Sequence, residues 1–328
     1  MTFRSVAKSY AYYLSDLAHS ARYRHARQSL PAAPAMKYST LSRSGMKASV
    51  VGLGTGGPSR LGRAHGKSTN ECLGLIRAAV DAGINFIDTS EAYGTERILG
   101  LAMRSFRREE LIISSKIIVS HGGRLISPRQ LQTGADCSLR RLGSEYIDYY
   151  LLHAVTAEDY DYVTEALVPA LDRLREQGKV RYLGISEAFT RDPKHLMLTR
   201  AVRDDFWDTI LLGFNLANPS ARGVIQEAQG RRIAVAAAFV MRDLWHETAR
   251  DLRNSLSGLI DGTDLTLPEL AFRFCGHEPG IDVVLTGTGS LEHLTSNVRS
   301  FLQGPLPDDL VTRVWEKIIE HSNPSDHV

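Results

Sequence analysis

No uninterrupted apolar stretch in this 328-residue chain is longer than the nine residues 233–241, and a helix needs about 20 to cross a bilayer. A helical membrane span is therefore excluded. Cysteine is scarce: Cys72, Cys137 and Cys275 are odd in number and far apart, with no CxxC pair. That excludes a disulfide framework and a structural zinc site, and it points to a reducing cytoplasm. The 11 histidines contain no HxxxH or HExxH spacing, so no catalytic metal is expected. Charge of one sign is also lacking, with 39 Lys and Arg against 37 Asp and Glu. Such a body is not a basic nucleic-acid binder. Hydrophobic content of 43% and charged content of 23% are ordinary globular values and rule out wholesale disorder.

The near-neutral balance hides an asymmetry. Residues 1–35 carry Arg4, Lys8, Arg22, Arg24 and Arg27 against Asp16 alone, leaving the remainder slightly acidic. This leader has helix-compatible composition and runs into the linker-like Leu30-Pro31-Ala32-Ala33-Pro34. Its composition suits a surface appendage, a start upstream of Met36, a contact for a partner or a second copy, or a transit peptide. It lacks the continuous apolar core of a secretory signal. Residues 1–35 are therefore expected to be separate from a body spanning 36–328.

Within the body the punctuation is regular. Segments 37–41 and 46–51 flank Ser42-Arg43-Ser44-Gly45 and read as a hairpin. Eight β-rich runs follow, at 50–53, 85–89, 111–116, 147–153, 181–186, 209–215, 233–239 and 282–286. Amphipathic stretches such as 70–82, 128–142, 160–177 and 291–302 lie between them. Eight alternations over this length fit an α/β fold of the (β/α)8 TIM-barrel class, with the hairpin at its N-terminal end and a basic helical extension before it. A doubly wound sheet shows the same local alternation. No linker-like shift interrupts 37–328, which favours a single barrel. Segment 243–264 breaks the rhythm and is expected to form a long loop or short helices after the seventh strand. Residues 307–321 read as one extra helix.

Gly52-Leu53-Gly54-Thr55-Gly56-Gly57 satisfies GxGxxG after a strand. A dinucleotide-binding turn would open a helix there and place an acid about 20 residues on. Here Pro58, Ser59, Gly62 and Gly66 prolong a loop to about Ser68, and Asp88 lies too far along. The segment reads instead as an active-site loop.

Four polar residues fall at or just past the ends of consecutive strands, where barrel enzymes place their chemistry. Asp88 closes NFID, Tyr93 follows in IDTSEAYG, Lys116 ends LIISSK and His153 ends YIDYYLLH. Alone, each type has an ordinary structural use; their joint placement on strands two to four is what points to a site. Carbonyl reduction needs a proton donor, and a phenol can serve, although its pKa near 10 matches neutral pH poorly. An adjacent ammonium favours the phenolate, and a buried lysine needs a carboxylate to stay charged. Tyr93 is thus the expected general acid, Lys116 its tuner, Asp88 the anchor and neutral His153 the group that orients the carbonyl.

IDTSEAYG, SSK and LLH, in that order, resemble the tetrad motifs of the aldo-keto reductases, and the likeness extends over residues 37–305. GFNLANPSAR, AAFVMRDL and EPGIDVVLTGTGSLEHL look closest to the branch that includes sugar dehydrogenases. The resemblance implies a barrel that reduces aldehydes or ketones with NADPH, or runs in reverse, on a small carbonyl or alcohol substrate. It places Ser186 and Glu187 at the nicotinamide amide, with Glu187 in the position of a usual Asn and Leu211 in that of a common Gln. Phe214, beside Asn215, takes the position of an aromatic that stacks on the nicotinamide ring, as a ring face can. Gly54 and Thr55 of the first loop join the cofactor-binding candidates. Gly287, Thr288, Gly289 and Ser290 form the phosphate loop, followed by His293 and Asn297 on a helix whose N-terminus suits an anion. The Lys and Arg that NADP-specific members use are replaced here by Gly287 and His293, so NADP(H) is favoured only slightly over NAD(H). The alternative function is a nicotinamide-binding module with little turnover that engages a protein partner through residues 1–35. An unrelated barrel, such as a lyase, would ignore nicotinamide altogether.

Overall fold

The structure is a computed structural model that describes residues 35–321; the leader, apart from residue 35, lies outside the described residues. Strands β1 (Tyr38–Thr40) and β2 (Lys47–Ser49) form the expected antiparallel hairpin, with Tyr38 opposite Ser49. It stoppers the N-terminal end of a barrel. Leu41 and Ala48 enter the interior cluster with Phe86, Ile112, Tyr149 and Leu151, and the Tyr149 hydroxyl donates to Ser44 Oγ at 2.7 Å.

The barrel strands are β3 (Val51–Gly54), β4 (Phe86–Asp88), β5 (Ile112–Ile118), β8 (Ile147–Val155), β9 (Val180–Glu187), β10 (Thr209–Gly213), β11 (Ala234–Ala238) and β12 (Val283–Thr286). A small hairpin of β6 (Ser120–His121) and β7 (Arg124–Leu125), in a segment expected as loop, follows β5. The eight pair in parallel, and β12 closes onto β3 through Leu285 opposite Gly52. Both faces of each strand are covered, which is why the runs place apolar residues in succession rather than in strict alternation. On β10, Leu211 belongs to the interior cluster, while Ile210 and Leu212 join the larger core between strands and helices. The interior is so filled that a Cβ on Gly184 would stand 2.6 Å from Leu151 Cγ and from Thr209 Cγ2.

The helices are set by their start signals. Ser68 and Glu71 cap Thr69–Asp81, Ser127 and Gln130 cap Pro128–Leu142, and Thr266 and Glu269 cap Leu267–Gly276, each pair as a reciprocal capping box. Between Tyr160–Tyr162 and Val168–Glu176, residues Val163–Leu167 adopt a π-type turn. The rhythm break after β11 contains a single-turn helix at Glu247–Ala249 and a helix at Arg250–Leu259. Helix Asp308–His321 packs Val314 and Ile318 into the core. Among the described residues, no helix is long and apolar enough to cross a membrane. The one systematic difference from the sequence reading concerns strand ends. β5 and β8 run on past Lys116 and His153 because Ile118 still pairs with His153, so both residues sit inside strands rather than at their tips.

Candidate active site

Strands β4, β5 and β8 bring Asp88, Tyr93, Lys116 and His153 together at the C-terminal mouth. Asp88 ends β4, and a single turn, Glu91–Tyr93, lifts the phenol above it. Ser90 caps that turn by accepting from the Ala92 amide, and Gly94, at φ +70°, closes it. Gly56 leaves room for the ring, since a Cβ there would lie 2.4 Å from Tyr93 Cε2. Lys116 is completely buried. Its Nζ donates to Asp88 Oδ1 at 2.5 Å and to the Thr89 carbonyl at 2.8 Å, and Ser114 Oγ donates to the same Asp88 oxygen at 3.1 Å. The ammonium stands 5.2 Å from the centre of the Tyr93 ring. The rings of Tyr93 and His153 meet edge to face, 5.6 Å apart.

Burial opposes the charge on Lys116, yet Asp88 and Tyr93 together hold its pKa above the ordinary lysine value. Burial likewise raises the Tyr93 phenol; Lys116 pulls the other way, as its charge requires, but the net direction in the free protein is upward. The lowered phenol pKa anticipated from the Lys116 neighbour is therefore outweighed by desolvation. His153 is pushed down to about 3 by burial, then by Lys116, so the ring is neutral at physiological pH. Its Nδ1 lies 3.1 Å from Ser90 Oγ, which also lies 3.2 Å from the Lys116 carbonyl. Ser90 has one proton to give. Donated to Nδ1, it leaves His153 Nε2–H free to donate to a carbonyl oxygen.

The other half of the mouth, at the ends of β9 to β12, is built differently. Ser186 Oγ accepts from the Ala154 amide at 3.3 Å. Glu187 is fully buried: one oxygen accepts from the Gly213 amide at 2.9 Å and the other lies 2.7 Å from His195 Nδ1. A cavity of about 300 Å³ opens beside them, lined by Phe189, His195, Asn215, Phe239 and Arg242 among others. Asn215 Oδ1 accepts from the Ala217 and Asn218 amides and fixes the turn after β10.

Phe214 is not at this mouth. Its ring is buried in the outer core and stacks parallel to Phe274 at 6.0 Å. The reason is strand alternation: Gly213 faces Phe189 and Glu187, so Phe214 is turned towards the helices. The aromatic that does line the cavity is Phe239, at φ +66° and edge to face with Phe189 at 4.3 Å. The sequence reading overlooked Phe239 and His195. Phe239 closes the run 233–239, so the rule that chemistry gathers at strand ends was a sufficient signal. His195 carried none, because only the path of the loop after β9 brings it to Glu187.

Thr55 is buried; its amide donates to the Asp88 carbonyl, and its hydroxyl meets Thr95 at 2.8 Å, with Thr89 Oγ1 3.1 Å from the same Thr95 atom. It supports the β4 turn from below. Gly54 lies against the loop after β12, 3.7 Å from the Thr286 carbonyl if given a Cβ. Thr288 Oγ1 accepts from the Ser290 amide, Ser290 caps helix Leu291–Leu302 through the His293 amide, and Asn297 donates to Thr286 Oγ1 at 2.8 Å. His293 is exposed. Gly289 sits backbone to backbone on Gly62, where a Cβ would meet the Gly62 Cα at 2.5 Å, and the Lys67 side chain covers Gly62. A nicotinamide dinucleotide fits this half: it has a bare glycine loop at a helix N-terminus, a cavity with an aromatic wall, and a buried His195 Nε2 without a hydrogen-bond partner among the described residues.

The sequence profile of the aldo/keto reductase family matches residues 50–319. A rice protein described as a "Probable voltage-gated potassium channel subunit beta" is 26% identical over 325 residues, covering 86% of this chain and 95% of that protein. L-galactose dehydrogenase of Arabidopsis thaliana is 32% identical over 152 residues, 44% of this chain and 47% of that protein. The holo form of an aldo-keto reductase from Bacillus halodurans superposes with a TM-score of 0.71 at 22% identity, covering 86% of this chain and 96% of that one.

Proposed function

Because the chain belongs to the aldo/keto reductase family, we propose that its Tyr93 passes the proton in a hydride transfer between a nicotinamide cofactor and a small carbonyl compound or alcohol. NAD(P)(H)-dependent oxidation and reduction is the chemistry of the family, and a small molecule is its substrate. The bound nicotinamide supplies the hydride in reduction and takes it in oxidation. Everything else falls to side chains of this protein. His153, neutral and oriented by Ser90, donates from Nε2 to the substrate oxygen and holds the carbonyl beside the phenol. Tyr93 gives its proton to that oxygen as negative charge develops there. Lys116, kept charged by Asp88, stabilises the phenolate left behind. The Lys116–Asp88 contact beneath Tyr93 is the observation that carries this reading, since a wholly buried ion pair is otherwise costly.

Tyr93→Phe is expected to lower the rate by about 10²–10⁴ while leaving cofactor affinity intact; full reductase activity in that variant would sink the assignment. NADP(H) is the slightly favoured cofactor, and Lys67, whose side-chain stem lies over Gly62 beside Gly289, is the cation we assign to its phosphate. Titrating the protein with NADPH and NADH by fluorescence quenching tests this: tighter NADH binding reverses the preference and favours an oxidising, sugar-type dehydrogenase.

The rice relative supports a second reading, a nicotinamide-binding module that serves a protein partner through residues 1–35. NADPH binding without turnover over a broad panel of aldehydes and ketones would favour it.

A further inference from the structure

One buried ionisable pair takes no part in the proton transfer described above. Glu187 is fully buried and His195 is 2% exposed. With Oε2 at 2.7 Å from His195 Nδ1 and Oε1 accepting from the Gly213 amide, the carboxyl group fixes the plane of the imidazole. The far nitrogen, Nε2, has no hydrogen-bond partner among the described residues, a state that costs about 1–3 kcal/mol when buried. His195 lines the cavity at the ends of β9 to β11. Its φ of +57° is uncommon for a side-chain-bearing residue. The chain is held in that shape by Asp192, whose carboxylate accepts from the Leu196 and Met197 amides on the far side of His195. A buried ring with a fixed plane and one bare nitrogen at a cavity is built to receive a polar atom from outside the chain.

The chemistry of the pair narrows what that atom belongs to. When the pair holds one proton on Nδ1, Nε2 is an acceptor; with a second proton it is a donor. A carboxamide offers an NH₂ donor and a carbonyl acceptor on one planar group and meets either state. A carboxylate meets only the second and must approach the buried Glu187 charge, the Asp243 charge at the cavity being paired with Arg242. We propose that His195, aimed by Glu187 as its positioning residue, grips the carboxamide of the nicotinamide, so that a histidine does the work where an asparagine is usual. This rests on the oxidoreductase reading.

The test is a fluorescence titration of the full chain with NADP⁺ and with its nicotinic acid analogue, which carries a carboxylate in place of the carboxamide. The wild type should bind NADP⁺ about tenfold more tightly than the analogue. His195→Asn tolerates the left-handed backbone but does not reach the cavity with an imidazole nitrogen, and should lose that preference; Glu187→Gln, which keeps an acceptor for Nδ1–H, should retain part of it. A preference unchanged in His195→Asn overturns the assignment, as does equal affinity in the wild type, which needs no variant to fold. Failure of NADP⁺ and NAD⁺ alike to bind would overturn the oxidoreductase reading and this assignment together, whereas binding without carboxamide preference overturns this one alone.

Discussion

The two halves of the barrel mouth obey opposite rules. Where β4, β5 and β8 end, polar atoms satisfy one another: Lys116 meets Asp88 and Thr89, Ser114 meets Asp88, and Ser90 bridges to His153. Where β9 to β12 end, the chain stops short of satisfying itself. Among the described residues His195 Nε2 has no hydrogen-bond partner, glycines replace side chains at 213, 287 and 289, and a cavity remains beside the Phe189–Phe239 pair. On the proposed function, the contrast teaches that the half assigned to proton transfer is preorganised by the protein, while the half assigned to the cofactor is left incomplete so that a ligand can complete it.

Breaking the first half should have the larger effect. Lys116→Met leaves the Asp88 carboxylate buried without its partner and should destabilise the fold by about 3–5 kcal/mol; adding Asp88→Asn should recover most of that loss in a denaturant melt. The sign with pH follows from Lys116, whose folded pKa lies above the unfolded one. Its contribution is complete below the ordinary lysine pKa and is lost as pH rises through the raised value, so the wild type should lose stability on that alkaline limb and Lys116→Met, which lacks the titrating group, should show a flatter one.

A smaller effect, absent at neutral pH, is expected at His153. Its folded pKa of about 3 lies below the unfolded value of about 6.5. The unfolded chain therefore gains a proton first, and stability falls as pH drops from about 6.5 towards about 3. His153→Gln should flatten that limb of a stability profile; an unchanged acid limb would mean that the ring is not buried neutral.

The smallest change sharpens the other half. Phe214→Leu should cost about 1 kcal/mol of stability without altering cofactor affinity, because its ring packs on Phe274. Phe239→Leu should do the reverse, weakening cofactor binding with little change in melting. If Phe214→Leu were the variant that weakened binding, the assignment of the cavity wall would fall.

Much of this was legible in the chain. The hairpin, the eight strands and the helix starting at Thr69 follow from apolar runs, turn residues and capping signals that act within a few residues. The quartet was legible because its members sit on or just after regular strands in a fixed order. Phe214 was misplaced because a strand's two faces differ by one residue in register, and the run 209–215, with Ile210, Leu211 and Leu212 in succession, shows no alternation to tell them apart.

The sequence by itself determined the barrel, its leading hairpin and the grouping of Asp88, Tyr93, Lys116 and His153 at one mouth, because those depend on period and on local turn chemistry. Only the tertiary structure decided which aromatic faces the cavity, that burial outweighs Lys116 at the Tyr93 phenol, and that Glu187 and His195 form a pair. Each of these depends on which loops meet across the mouth and on how much water they exclude, quantities that no spacing along the chain encodes.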